Sequence, residues 1–323
     1  MDIYLNNAIM HIIDNERGNV IYSSNELDID SDMITEFLTK HIKKLTNNIA
    51  VKNATFLPES SVFSQIEEFK AKNIDFKTLS RGLCEKLAAL MLKYRAIPSA
   101  SVIFVQMDIG RYPHLAIIKL NHRNYYTHEA VNDETRLVRS NQGLPFDSGK
   151  VEEAVLIPYS PMVLKLVEKS YPLEKGLDES DYFSLLFLEC EPELSKKTVV
   201  EIINNAINDI EEIHGFVPAC KIKLGIIDEA LENDGEVRLE QMAQYLDDEI
   251  KAEFLQYLKD YGLNKDVFLG DKFASQKFGL HKVKSTNGVE IKFPIGIFDD
   301  ANAINFIDDE GILTANIRGI KRV

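Results

Sequence analysis

A series of closely spaced β-type segments in the first half of the chain limits its fold more than any other feature. Apolar residues recur with a period of two from Ala100 onward, over residues 102–105 and 115–120. Further apolar segments follow at residues 155–157, 162–164 and 183–188. The gaps between most of these segments are too short for the crossover helices that parallel strands need, so the sheet should be mainly antiparallel.

Helical periodicity precedes these strands. Residues 32–48 follow an acidic N-cap sequence, and residues 78–94 end shortly before Pro98, both with apolar side chains three and four positions apart. Two apolar runs within residues 3–22 flank a turn and predict a β-hairpin. The polar stretch 132–150 is predicted to be a loop. Together these patterns predict an α+β fold, with an N-terminal domain over residues 1–190.

The second part of the chain begins with acidic helices. Ser195 is a candidate N-cap for a helix to His214, Pro218 begins another, and residues 237–261 have the spacing of one long helix. Between residues 178 and 262 the chain has 21 acidic and 7 basic residues, a surplus that equals the whole net charge of −14. The remainder is neutral, so the acidity of the whole chain does not by itself exclude a polyanionic partner.

The last part reads as a small β-module. Turn sequences such as Asn287-Gly288 separate short β-type runs, and residues 272–292 contain five lysines against one carboxylate, Glu290. We therefore predict a second domain over residues 191–323, with acidic helices at 191–262 and a basic β-module at 263–323. Its candidate phosphate contacts are Lys272, Lys277, Lys282, Lys284, Lys292, Arg318, Lys321 and Arg322. Phe273, Phe278 and Phe293 are expected to form the core of the module rather than to stack on bases.

Motif searches exclude several common classes of enzyme and membrane protein. The sequence has no P-loop, no GxGxxG, no HExxH and no GxSxG. It has no apolar run long enough to span a bilayer and no signal-peptide pattern at its start. Three widely spaced cysteines indicate buried reduced thiols, and no metal or cofactor is expected.

Two alternatives to phosphate binding remain open at this point. Glu290 and Lys292 form a Glu-x-Lys on a predicted strand, which is the pattern of metal-dependent nucleases when an upstream carboxylate such as Asp271 joins it. The other alternative is an acidic protein-interaction scaffold that reaches DNA through a partner protein.

Several segments resemble the bacterial family of nucleoid-associated proteins of about this size. The segments are residues 8–13 with His11, residues 181–183 and 188–190, and the C-terminal runs 278–279, 288–293, 304–306 and 311–319. The resemblance implies a cytoplasmic bacterial protein at the nucleoid, without enzymatic activity. It implies association with DNA, which we expect to be double-stranded and bound with low sequence specificity. A DNA-associated protein partner and self-association both stay open, and no membrane association is expected.

Overall fold

The chain folds into two separate units of antiparallel sheet and helix, Met1–Ser195 and Lys196–Val323. The structure is a computed structural model and describes residues 2–131, 134–145, 150–173, 180–284, 288–298, 304–309 and 312–317. Its sheets and helices confirm the predicted α+β class. The predicted boundaries at residues 190 and 262 stay predictions.

An eight-stranded sheet forms the centre of the first unit. In chain order the elements of this unit are β1 (Ile3–Asp14), β2 (Asn19–Ile21), α1 (Asp32–Asn47), β3 (Lys52–Phe56), α2 (Ser61–Lys70), α3 (Phe76–Lys93), β4 (Ala100–Ile109), β5 (Tyr112–Asn121), β6 (Arg123–Val131), β7 (Glu134–Gly143), β8 (Glu153–Pro158), β9 (Leu164–Val167), a π-helical turn (Phe183–Leu188) and β10 (Cys190–Pro192). The strand order is β10-β3-β9-β8-β5-β4-β1-β2, and every neighbouring pair is antiparallel. The predicted antiparallel sheet and the β1–β2 hairpin are therefore confirmed.

Two apolar layers cover the faces of this sheet. Ile103 and Phe104 are consecutive in β4 and point to opposite faces, because side chains alternate along a strand. Ile103 is buried in a cluster with Leu38 of α1, and Phe104 in a second cluster with Leu83 of α3. The helical stripes that the sequence shows before residue 100 thus bury their apolar sides on the two faces of one sheet.

Two predictions in this unit are wrong. Residues 134–143 form strand β7, where the polar composition predicted a loop. Among the described residues this strand pairs with β6 alone, and most of its side chains are exposed, so burial does not impose an alternating apolar pattern on it. The run Phe183–Leu188 forms a π-helical turn where a strand was predicted, because a short, uniformly apolar run has no period that separates helix from strand.

The second unit combines helices with small two-stranded sheets. In chain order its elements are α4 (Lys196–His214), α5 (Phe216–Glu232), β11 (Glu236–Val237), α6 (Leu239–Met242), α7 (Asp248–Asp260), β12 (Val267–Phe268), α8 (Asp271–Phe278), β13 (Leu280–Lys284), β14 (Glu290–Pro294), a 3₁₀ turn (Ile295–Ile297), β15 (Ile304–Asp309) and β16 (Ile312–Ile317). Strands pair as β11–β12, β13–β14 and β15–β16. The predicted helix from Ser195 to His214 is confirmed, and so is the pairing around the Asn287-Gly288 sequence.

The single helix predicted over residues 237–261 is wrong. The chain forms β11, the short α6 and then α7, which begins after Asp247 with an acidic first turn. The predicted apolar positions are nevertheless correct, since Met242, Phe254 and Leu258 are fully buried. Acidic residues at 247–249 are a helix-start signal, and this signal divides the longer pattern. Across the described ranges, no helix combines the length and the apolar character that crossing a bilayer needs.

Candidate nucleic-acid interface

The strands β13 and β14 form an amphipathic hairpin, here called the basic hairpin (residues 280–284 and 290–294). Its inner face contains Phe293, which is buried with Phe216 and Cys220 of α5. The rings of Phe293 and Phe216 lie 5.9 Å apart. Because side chains alternate, burying this face leaves the other face of the hairpin directed toward solvent.

The outer face of the basic hairpin presents a lysine pair. Lys282 and Lys292 are cross-strand partners, and both are exposed. Glu290 lies between them, with its carboxylate oxygens 2.6 Å from the Lys282 Nζ and 3.1 Å from the Lys292 Nζ. Hydrogen bonds from Lys282 and then Lys292 lower the pKa of Glu290 below its ordinary value. One carboxylate therefore offsets part of the positive charge of this pair.

His281 connects the hairpin to the two helices beneath it. Its buried ring lies 4.8 Å from the Phe216 ring, between α5 and the hairpin. The Lys223 Nζ donates a hydrogen bond of 3.1 Å to Nδ1, and the Glu211 carboxylate on α4 lies 3.6 Å from Nε2. An ammonium can only donate, so Nδ1 is the acceptor in this hydrogen bond. These contacts hold the hairpin, and with it the lysine pair, at a defined position.

Lys272 and Lys277 lie on the exposed side of α8, although the sequence predicted a β-module here. Ala274 and Phe278, four positions apart, are buried, so this short segment follows a helical pattern that the neighbouring strand signals obscured. The Lys277 Nζ lies 5.6 Å from the centre of the Phe273 ring. The helix passes directly into β13 through the C-cap Gly279.

Lys196 is a basic neighbour that the sequence analysis missed. Its Nζ lies 5.9 Å from the centre of the Phe273 ring, the same ring that Lys277 approaches, and it donates a 3.0 Å hydrogen bond to the Leu269 carbonyl. Burial lowers the pKa of this lysine. One sequence signal could have identified it, because Lys196 and Lys197 occupy the first turn of α4, where the helix dipole disfavours cations.

The structure places the eight predicted phosphate contacts in different parts of the second unit, and it describes only some of them. It brings Lys282 and Lys292 together, and it places Lys272 and Lys277 on the adjoining helix. Lys284 lies in β13 at the register position opposite Glu290. Three further predicted contacts lie outside the described residues: Arg318, Lys321 and Arg322. Of the three phenylalanines predicted as core, Phe278 and Phe293 are buried, and Phe273 is half-buried beneath lysines.

The nuclease alternative depends on Glu290 as a metal ligand. Both oxygens of that carboxylate contact lysines, and Asp271 lies in the first turn of α8. Within the described ranges, no group of three histidine, cysteine or acidic side chains is arranged to hold a metal ion. Two nearby ammonium groups also compete electrostatically with a divalent cation. The described geometry gives this alternative no specific support.

Comparison with known proteins identifies the chain over almost its whole length. The model of one protein family, described as nucleoid-associated protein YejK, matches residues 9–322. A search of curated proteins gave no match. The match spans nearly all of both structural units and, apart from Ala8, every segment in which the sequence resembles this family. The chain belongs to the nucleoid-associated protein YejK family, which places it at the bacterial nucleoid in the cytoplasm.

Proposed function

We propose that this protein associates with the nucleoid by binding double-stranded DNA directly and without catalysis, through the lysines of the basic hairpin and of α8. The observation that carries the proposal is the cross-strand pair of Lys282 and Lys292, which projects from a firmly packed hairpin and shares one carboxylate. Contacts from lysine to phosphate give affinity without reading base sequence. Low sequence specificity is therefore expected.

The surroundings of the lysines support a polyanionic ligand. The inner face of the hairpin is fixed by Phe293 and His281, so little order has to be gained when the lysines meet phosphates. Lys272 and Lys277 extend the positive charge along the preceding helix. The acidic surplus of the chain lies between residues 178 and 262, before this segment. Arg318, Lys321 and Arg322 remain part of the proposal on the sequence alone.

Measuring DNA affinity as a function of salt concentration tests the proposal. Four described lysines that contact phosphates predict a slope of log K against log salt of about −3.6. The double variant Lys282→Gln/Lys292→Gln should reduce the magnitude of that slope by about two and weaken binding to all duplex sequences about equally.

A matched control separates local contact from general charge. Lys197→Gln/Lys251→Gln removes one exposed and one half-buried lysine of the same unit; Lys197 pairs with Glu201 within α4, and Lys251 of α7 pairs with Glu240 of α6. This control should leave the salt slope unchanged. An equal loss of affinity in both double variants, or a flat salt response of the wild type, would reject direct contact through the basic hairpin and favour recruitment by a partner protein.

A further inference from the structure

An exposed phenylalanine lies beside the basic residues of the second unit. Phe268 lies in β12, and 60% of its side chain is exposed. It pairs with Glu236 across the ribbon of β11 and β12, whereas the neighbouring pair, Val237 and Val267, packs against the core of the unit. Because side chains alternate along the two strands, the Phe268 ring is directed to the outer face of this ribbon.

One ammonium group links this ring to the lysines of α8. The Lys196 Nζ lies 4.6 Å from the centre of the Phe268 ring and 5.9 Å from the centre of the Phe273 ring. Its 3.0 Å hydrogen bond to the Leu269 carbonyl holds it there. The Lys277 Nζ approaches the same Phe273 ring at 5.6 Å. These neighbouring side chains form one surface, here called the Phe268 surface (Lys196, Phe268, Lys272, Phe273 and Lys277).

An exposed aromatic ring among lysines is the arrangement that binds unpaired bases. The ring offers a flat apolar face on which a base stacks, and the ammonium groups contact the phosphates of the same strand. Every base has such a face, so stacking tolerates any sequence. In a fully paired duplex the faces of the bases are already covered by their neighbours, and the ring has nothing on which to stack.

The carboxylates near the ring restrict where phosphates can lie. Glu236 shares the outer face of the ribbon, and Asp266 lies just before β12, so both disfavour a phosphate on the ribbon itself. On α8 the one carboxylate is that of Asp271, in the first turn, and the exposed ammonium groups are those of Lys272 and Lys277. The nucleic-acid backbone is therefore expected along α8, with a base extending over the ring.

We propose that the Phe268 surface binds single-stranded DNA, with an unpaired base stacked on Phe268 and the flanking phosphates on Lys272 and Lys277. The inference deepens the proposed function and rests on it for the phosphate contacts of α8, whereas the stacking contact is separate from the lysine pair of the basic hairpin. A duplex with a short unpaired segment should therefore bind about tenfold more tightly than a fully paired duplex of the same length, because stacking on an aromatic side chain contributes affinity of that order.

Tryptophan fluorescence tests the stacking contact directly. The chain has no tryptophan, so Phe268→Trp places a single fluorophore at the site. Single-stranded oligo(dT) should quench its fluorescence, and a fully paired duplex of the same length should not. Ile213→Trp, at a position of α4 that is exposed to a similar degree, 59%, should show no quenching with either DNA.

Fluorescence anisotropy with labelled oligo(dT) separates stacking from charge. Phe268→Ala should weaken binding about tenfold and Phe268→Leu nearly as much, whereas Phe268→Tyr, which keeps the ring, should change it by less than about twofold. An abasic oligonucleotide, which keeps the phosphates, should bind wild type and Phe268→Ala equally. Affinity for the fully paired duplex should be the same in all four proteins, and circular dichroism verifies that each is folded.

Equal quenching by oligo(dT) and duplex, or a loss in Phe268→Ala that persists on the abasic oligonucleotide, would overturn the proposal. Tighter binding of an oligoribonucleotide through Phe268 would overturn the assignment to DNA. A protein that binds duplex but not oligo(dT) contradicts this inference and leaves the proposed function standing. If oligo(dT) binding depends on Phe268 while duplex binding is insensitive to Lys282→Gln/Lys292→Gln, the duplex contact is rejected and the stacking contact is supported.

Discussion

The basic hairpin and the hairpin of β6 and β7, here called the arm (residues 123–131 and 134–143), are both two-stranded antiparallel ribbons and differ in what covers them. In the basic hairpin one face is buried against α5, and the other presents Lys282 and Lys292. In the arm, most described side chains on both faces are exposed, including the large apolar side chain of Leu137. The difference teaches that strand pairing alone does not define the role of a hairpin. The side chains left uncovered differ in kind: lysines that suit the proposed polyanionic partner in the basic hairpin, and large apolar side chains in the arm.

The largest expected contrast between the two hairpins is in stability. Phe293→Ala should lower the free energy of unfolding of the second unit by about 3–5 kcal/mol, because it removes a ring buried against Phe216. Leu137→Ala in the arm should change stability by no more than about 0.5 kcal/mol, since the side chain contacts mainly solvent. Urea titrations followed by far-ultraviolet circular dichroism measure both.

Two further measurements test whether the packing of Phe293 causes this difference in stability. Phe293→Leu, which retains apolar volume, should recover much of the lost stability. The Phe293→Ala protein, measured under conditions in which it stays folded, should bind DNA more weakly, because the lysine pair is no longer held in place. Equal stability losses in the two hairpins would mean that the basic hairpin is not packed as described.

The response to salt should separate the two surfaces next. Raising the salt concentration from 50 to 200 mM should weaken DNA binding by about 100-fold for four phosphate contacts. Leu137→Ala in the hairpin of β6 and β7 should leave this salt response unchanged, because it removes no charge. Fluorescence anisotropy with labelled duplex measures both proteins in the same buffers. A flat salt response of the wild type would reject phosphate contact through the basic hairpin.

The sequence predicts the central sheet and the helices that cover it, because the spacing of apolar residues reflects which side chains are buried. The antiparallel sheet around β4 and β5 follows from residues alternating between two covered faces. The same rule fails for β7, whose described side chains are mostly exposed, and for the short π-helical turn at Phe183–Leu188. Lys119 illustrates another limit. It lies in the apolar run of β5, yet it is fully buried with its Nζ 2.5 Å from Glu153, a tertiary pairing across 34 positions that spacing cannot show.

The candidate site was predictable where its residues are close in the chain. Lys282 and Lys292 flank an Asn-Gly turn sequence, so their pairing follows from hairpin geometry. Lys196 approaches Phe273 from 77 positions away, and only the folding of α4 near α8 brings them together. The sequence places Glu290 on a predicted strand two positions from Lys292, but its contact with both lysines depends on side-chain placement.

Removing the carboxylate that Lys282 and Lys292 share should raise DNA affinity, an effect smaller than the salt effect above. Glu290→Gln leaves both lysines unopposed, so affinity for duplex DNA should rise about two- to fivefold in the absence of divalent ions. Glu240→Gln, which makes the same charge change beside Lys251, should have little effect. If instead wild-type protein cleaves plasmid with Mg²⁺ and Glu290→Gln abolishes cleavage, the nuclease alternative is correct.

The smallest expected effect is a pH dependence that belongs to the basic hairpin alone. Hydrogen bonds from Lys282 and Lys292 lower the pKa of Glu290 from its ordinary value of 4.5. The ion pairs therefore persist through mildly acidic pH, and their contribution to stability is lost only as pH falls through the folded-state pKa. Protonation of Glu290 then frees both lysines. The ratio of the DNA affinity of Glu290→Gln to that of the wild type should therefore stay constant as the pH falls to 4.5, and it should approach one at lower pH. Anisotropy titrations on the two proteins give this ratio, with circular dichroism at each pH confirming that both remain folded. Because other carboxylates titrate equally in both proteins, the ratio isolates Glu290. An advantage already lost well above pH 4.5 would show that the two lysines do not hold the carboxylate in its charged form.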